Sequence, residues 1–377
     1  MEIELFVKTL AEICARSKIA DGRRLEYTII INPSAGGFTI RSRWKKHRAV
    51  LEEYGQKALA NPARKASPSA AVKSGKIGAG SFTEYGAVLT GRSGHAGEIT
   101  KAVIDEALSS KESSPPFQLI ICAGGDGTSW EVLSALHGAP ARFRSSCAVL
   151  RLPLGTGNDG ADSPVMEGAL DLLIKPVNVE YTPALRLVTA QGGPARSKGP
   201  FLAFNILSAG LDAFVTHMTN KMKGKLPGDS YKLWVDIAAL FYDRLYKVDY
   251  INVKAFNDKG KEVNSFREKL LLLAVGASGY RTYGSGNKIL PDGRNVCAVK
   301  QMPLLRKIAL KDLFGTGEHI DKPESILFNA HKVEFSSIYP LLAQMDGEAV
   351  LLERDDFPAS IELTEPLIPL LKIRKNV

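Results

Sequence analysis

FQLIICAGGDGTSWEVLSAL, residues Phe117 to Leu136, is the stretch whose reading decides the fold. Leu119-Ile120-Ile121-Cys122-Ala123 is a short apolar run with two β-branched residues, which predicts a buried strand. Gly124-Gly125-Asp126-Gly127-Thr128 follows at once, and Trp130, Val132, Leu133 and Leu136 then recur at helical spacing. Strand, glycine turn and helix together offer backbone N–H groups and a helix N-terminus to a phosphate. Glycine lets the backbone approach such a ligand with no Cβ in the way. A carboxylate in the turn would repel phosphate unless a divalent cation lay between them, so Asp126 points to Mg²⁺ as much as to a nucleotide. The same turn also reads as a plain βα connection in which Asp126 only caps the helix.

Working outward, the pattern repeats. Tyr27 to Ile31 is a β-branched run broken by Asn32-Pro33-Ser34-Ala35-Gly36-Gly37, with a helix expected from Trp44 to Tyr54. Tyr85 to Leu89 reads as a third strand, followed by a turn through Gly97 and helical spacing of Ile99, Val103, Ile104 and Leu108. Ala148 to Leu152 is another strand and ends in Pro153-Leu154-Gly155-Thr156-Gly157-Asn158-Asp159. Every glycine-rich turn follows the C-terminal end of a strand. That describes a Rossmann-like, doubly wound parallel sheet with its ligand site at those ends. Residues 60–81 are rich in Ala, Ser, Gly and Lys and predict a flexible surface insertion. Residues 1–24 predict an extra amphipathic helix, with Leu5, Phe6, Leu10, Ile13 and Cys14 on one face; early Glu2 and Glu4 read against a signal peptide.

Past Ala169 the texture changes to short strands, among them Leu170 to Ile174, Tyr181 to Ala190, Phe201 to Ser208, Val248 to Phe256 and Lys269 to Ala277. Tyr231 to Tyr246 is the only long helix signal in this half. An antiparallel β-sandwich is expected. The predicted organisation is therefore α/β plus β-sandwich: a nucleotide-binding domain over 1–165, a β-sandwich domain over 166–365, and a tail, 366–377, packing back on the first domain.

Composition sets looser bounds. The 377 residues carry a net charge of +9, with 45% hydrophobic and 24% charged residues, an ordinary globular balance with basic excess. Such a chain favours acidic partners, whether nucleic acid, anionic membrane or phosphorylated substrates. The four cysteines, Cys14, Cys122, Cys147 and Cys297, form no CxxC pair and fit free thiols in a reducing compartment. The longest aliphatic run, Leu270 to Val275, is strand-sized, so any membrane contact is expected to be peripheral.

Four separated motifs then agree: Asn32-Pro33-Ser34-Ala35-Gly36, Gly124-Gly125-Asp126-Gly127-Thr128, Pro153 to Asp159, and Met345-Asp346-Gly347-Glu348. In this order the chain resembles the diacylglycerol kinase catalytic-domain family, soluble bacterial lipid kinases with sphingosine and ceramide kinase relatives, distantly similar to NAD kinases and phosphofructokinases. The resemblance implies an ATP-dependent lipid kinase with ATP and Mg²⁺ as cofactors. It implies Asp346 as general base with Glu348 beside it, and Asp126 at the nucleotide phosphates and their Mg²⁺. Asn32, Pro33, Ser34, Gly36, Gly124, Gly125, Gly127, Thr128, Gly155, Thr156 and Asn158 match nucleotide-binding positions. Asp159, Asp162 and Asp292 resemble the acidic metal site of bacterial members.

The residues alone leave alternatives: Asp346-Gly347 is also a common hairpin-turn pair, and Asn158-Asp159 also reads as a helix cap. The implied partner is a lipid acceptor at a membrane surface, diacylglycerol or a related lipid, with no nucleic acid; a homodimer stays open. The implied location is cytoplasmic with peripheral membrane association. A sphingoid-base or long-chain alcohol kinase is the near alternative, and a non-catalytic nucleotide- or lipid-binding regulatory relative the alternative of another class. Departures from the family pattern are Trp130 where an Asn is usual, Gly37 where Lys or Arg is common, and Gly160-Ala161-Asp162 in place of a bulky segment. Arg41, Arg43 and Arg92 are candidates for the missing cation.

Overall fold

The computed structural model describes residues 2–17, 19, 22–60, 66–73, 85–192, 201–222, 242–284 and 286–374. The chain divides into two compact units, Met1–Thr182 with Pro366–Val377, and Pro183–Glu365.

The first unit is built on a sheet of seven strands. β1 (Leu25–Ile31), β2 (Ala66–Pro68), β3 (Ala87–Leu89), β4 (Phe117–Gly124) and β5 (Cys147–Pro153) run parallel. β1 lies beside β4, and β4 beside β5. Every residue of β4 and β5 is buried, which explains why these runs are continuously apolar rather than alternating: helices cover both faces. Each fully buried Ile of β4, Ile120 and Ile121, contributes about 1.5–3 kcal/mol by leaving water. The N-terminal helix Glu2–Cys14 buries Phe6, Val7, Leu10, Ile13 and Cys14. Phe6 meets Phe38 edge-on at 5.1 Å, and Phe38 packs on Trp44 at 5.8 Å.

Three expectations for this unit are corrected. The boundary falls after Thr182, not at 165. Leu170 to Ile174 belongs to the helix Met166–Ile174, which buries Met166, Ala169, Leu170, Leu172 and Leu173; a five-residue apolar run cannot by itself distinguish strand from buried helix. β6 (Val177–Thr182) then joins the first sheet by pairing antiparallel with the C-terminal strand Ile368–Ile373, whose Leu370 pairs in parallel with Val149 of β5. Of the predicted insertion 60–81, residues 61–65 and 74–81 lie outside the described residues, and the described part carries regular structure. Ala66, Ser67 and Pro68 pair with Leu25, Glu26 and Tyr27, and Ala71 of the short helix Ala70–Lys73 is buried. Small residues suit a sheet edge closely covered by its neighbours.

The second unit is an eleven-stranded antiparallel network with a separate two-stranded ribbon, Arg281–Tyr283 with Asn287–Leu290. Its spine is the 15-residue strand Glu262–Gly276. The first half pairs with Tyr250–Phe256 and keeps one face in water; the second half, from Leu270, is wholly buried and pairs with Ile206–Gly210 and Val296–Lys300. Tyr181 to Ala190 splits at Pro183 into β6 and the strand Leu185–Val188. Two helices, Leu211–Met222 and Leu304–Thr316, were hidden in the sequence, because each offers only a few apolar positions to the core, such as Ala213, Phe214 and Leu310. Of the predicted helix Tyr231 to Tyr246, residues 231–241 lie outside the described residues; Tyr242–Leu245 is helical. Among the described residues no helix is long and apolar enough to cross a membrane. All four cysteines are free and buried.

Candidate functional site

The glycine turns of the first unit meet at the C-terminal ends of β1, β4 and β5. The helix Asp126–His137 starts at Gly125 with no side-chain cap, and its first bond runs from the Ser129 N–H to the Gly125 carbonyl. The amides of Asp126, Gly127 and Thr128 precede that bond, so an anion is their natural partner. Gly124 is demanded by packing, since a methyl there would lie 2.6 Å from Thr128 Oγ1. A methyl on Gly155 would lie 2.6 Å from the Gly125 Cα, so the turn after β4 and the turn after β5 touch backbone to backbone. Asn32 ties the turn after β1 to the turn after β4: its Nδ2 donates to Thr128 Oγ1 at 3.2 Å, and its Oδ1 accepts from the Ser34 N–H at 3.0 Å. Asn158 adopts a left-handed φ of 61°, tolerable for Asn, and its Oδ1 accepts from the Gly155 N–H at 2.6 Å.

Two carboxylates converge here. A methyl at Gly157 would lie 3.0 Å from Asp159 Oδ2 and 3.1 Å from Asp126 Oδ2. The other oxygen of Asp126 accepts from the Gly160 N–H at 3.0 Å. Two carboxylate oxygens beside a spot kept clear by glycine fit a hard divalent cation that retains waters.

The predicted trio Asp159, Asp162 and Asp292 is corrected. Among the described residues no group of three His, Cys, Asp or Glu is placed to hold a metal ion. Asp162 is committed within its own unit: its carboxylate accepts from the Arg151 N–H at 2.7 Å, from Nη2 at 2.6 Å and from Nε at 3.1 Å, with both side chains over 95% buried. This pair pins the loop after β5 to the strand that precedes it. Asp292, in the second unit, is chelated by the Arg294 guanidinium, which holds its carboxyl below the usual carboxylate range. The signal for the first pair was visible in the sequence: Arg151 is a lone charge inside an apolar strand, and such a charge must be paired.

The candidate cations also separate. Arg92 is exposed and paired with Glu98. Arg43 reaches the turns: its Nη1 donates to the Gly155 carbonyl at 3.1 Å and is 3.3 Å from a methyl placed on Gly36, a point 3.4 Å from Thr156 Oγ1. Gly37 cannot carry a side chain, because a methyl there would meet Leu154 at 2.6 Å and its backbone at 2.9 Å. His95 is structural, its Nδ1 accepting from the Gly91 N–H at 3.1 Å. Glu131 caps the helix His95–Ser109 by accepting from the amides of Gly94 and Ala96 at 2.7 and 3.0 Å. Burial pushes the Cys122 thiol up to about 12, so it is no nucleophile.

In the second unit Asp346 and Gly347 form a two-residue hairpin turn, both with positive φ, 47° and 103°, between Leu341–Met345 and Glu348–Leu352. The Asp346 carboxylate is cradled by the backbone amides of Phe204, Asn205 and Ile206, the last two at 3.0 Å. Gln344, fully buried, braces the turn by accepting from the Gly347 N–H at 3.0 Å and donating to Ser208 Oγ at 2.9 Å; Ser208 in turn donates to Asp212 at 2.6 Å. Glu348 opens the next strand and is exposed. The bracing network was not legible in the sequence, because Ser208, Asp212 and Gln344 are distant and individually ordinary.

Comparison with known proteins agrees with this architecture. Residues 26–181 match the diacylglycerol kinase catalytic domain. Over 193 residues, 50% of this chain, the sequence is 31% identical to a "Probable lipid kinase YegS-like" of Yersinia enterocolitica, and over 191 residues, 49% of the chain, 29% identical to one of Yersinia pestis. The chain spans 57% and 56% of the length of these relatives. Two solved proteins of Bacillus anthracis, each described as a "putative diacylglycerol kinase", superpose with TM-scores of 0.56 and 0.53, each at 19% identity. These cover 95% and 94% of this chain and 98% and 99% of theirs, a likeness of fold. Residues 26–181 of this chain thus belong to the diacylglycerol kinase catalytic-domain family.

Proposed function

We propose that the chain is a kinase that transfers the terminal phosphoryl group of ATP to a hydroxyl of a lipid, diacylglycerol or a related acceptor. The observation that carries this reading is the meeting of the glycine turns around Asp126, Asp159 and Arg43. Phosphoryl transfer is mostly positioning and charge stabilisation. Uncapped amides at Asp126, Gly127 and Thr128 would hold phosphate oxygens, and the Arg43 guanidinium would add the positive charge that Gly37 cannot. Asp126 and Asp159 would hold Mg²⁺, which neutralises phosphate charge when bound. Asp346 is the candidate base. Its carboxylate is fixed by three amides, which suits orienting a hydroxyl and taking its proton late. Glu348, exposed beside it, is its proposed companion. The test is transfer of label from ATP to extractable lipid in mixed micelles of several lipids, with and without Mg²⁺. No transfer to any lipid, despite tight ATP binding, would leave the regulatory reading.

A further inference from the structure

The strand Tyr250–Phe256 alternates exposed and buried residues along its length. Its inner residues, Ile251, Val253 and Ala255, belong to the core. Its register places Tyr250 opposite Lys269, Asn252 opposite Arg267 and Lys254 opposite Ser265, so these six share the outer face. The Arg267 guanidinium lies 4.9 Å and the Lys269 ammonium 5.2 Å from the centre of the Tyr250 ring, which is 44% exposed. Among the described residues no ion pair involves Lys254, Arg267 or Lys269; Glu334, opposite Lys254 on the next strand, is the only carboxylate facing them. On that same next strand Lys332 pairs with Glu362 of the strand beyond it at 3.0 Å, and the face becomes neutral. The hairpin tip is neutral as well, with Lys259 and Lys261 against Asp258 and Glu262.

We propose that this outer face, Tyr250 with Lys254, Arg267 and Lys269, is a docking surface for an anionic lipid bilayer. The choice of a bilayer rests on the lipid-kinase reading; the surface itself rests on the register. Sheet geometry sets Arg267 and Lys269 about 7 Å apart along one strand and Lys254 about 7–8 Å from Arg267 on the diagonal, a row of cations spread over one face of the sheet. Long cationic side chains reach phosphates while an amphipathic Tyr ring seats at headgroup level. Few carboxylates stand near enough to cancel the attraction.

The test is co-sedimentation of the full chain with phosphatidylcholine vesicles, with and without phosphatidylglycerol, at low and physiological salt. Binding is expected only with phosphatidylglycerol and should weaken as salt rises. Each of Lys254→Gln, Arg267→Gln and Lys269→Gln should lower partitioning about fivefold at low salt, whereas Arg267→Lys should not. A control that removes equal charge elsewhere, Lys101→Gln, Lys111→Gln and Lys322→Gln, should bind like the parent. A triple face variant that melts like the parent and binds no worse than this control overturns the proposal; if the triple is unstable, the single variants decide. So does a face that captures a labelled oligonucleotide while vesicle binding is unchanged by the triple substitution. Lipid phosphorylation in neutral micelles is measured in parallel. Its absence in parent and variants alike would sink the kinase reading while the vesicle result stands.

Discussion

Gly127→Ala separates a phosphate cradle from an ordinary connection. Gly127 is the second residue of the helix Asp126–His137, and a methyl added there meets nothing within 4 Å. Alanine exceeds glycine in helix propensity by about 0.8–1 kcal/mol in a helix interior and by less in a first turn. The variant should therefore be as stable as the parent or up to about 1 kcal/mol more so. The same open space is where a phosphate oxygen would approach the amides. Displacing it from one charge-assisted hydrogen bond costs about 1.5–3 kcal/mol, or roughly 10- to 150-fold in affinity. Titration calorimetry with ATP, alongside thermal melts, reads both quantities on one sample. Gly155→Ala is the counterpart. Its methyl would meet Gly125 Cα at 2.6 Å and Asn158 Oδ1 at 3.0 Å, so stability should fall by about 1–3 kcal/mol together with affinity. A Gly127→Ala protein with raised stability and unchanged ATP affinity would refute the cradle, because nothing would then be approaching the turn.

Asp162→Ala should cost about 3–5 kcal/mol by stranding buried Arg151, and leave the Mg²⁺ dependence of the surviving activity unchanged; a shifted Mg²⁺ requirement would restore it as a ligand. Arg43→Ala should weaken ATP binding more than adenosine binding, and equal losses for the two would deny it a phosphate role. Asp346→Asn should lower turnover on the order of 10²-fold or more with nucleotide affinity little changed. It should also lose about 1–3 kcal/mol of stability, because an amide NH₂ would face backbone donors in place of an acceptor. His319, buried and stacked on Phe314 at 4.1 Å, has its pKa lowered by burial from 6.5. The unfolded chain then binds the proton more readily, so stability is complete above about pH 6.5 and falls as pH drops below it; His319→Gln should flatten that slope in melts.

The local features that set the first unit's fold were legible because they are local. Leu119 to Ala123 is apolar on both faces, and only a strand covered on both sides needs that. Glycines at strand ends mark where a backbone must come close, and the contact of Gly125 with Gly155 is such an approach. The turn reading of Asp346-Gly347 and its place in a family motif were both available, and the structure shows one does not displace the other: the positive φ of the turn aims the carboxylate into the amides of Phe204 to Ile206.

What tertiary structure decided was partnership. Asp162 looks like a ligand beside Asp159 in sequence, yet burial leaves it no choice but Arg151, eleven residues back on β5. Leu170 to Ile174 has the composition of a strand, and only the core it meets makes it a helix. The C-terminal strand enters the first sheet through Leu370 and Val149, a pairing no local pattern encodes. Propensity and turn chemistry act over a few residues and can be read from one chain. Charge pairing, strand adjacency and the emergence of a basic face from Lys254, Arg267 and Lys269 depend on which distant residues become neighbours, and only the folded chain determines that.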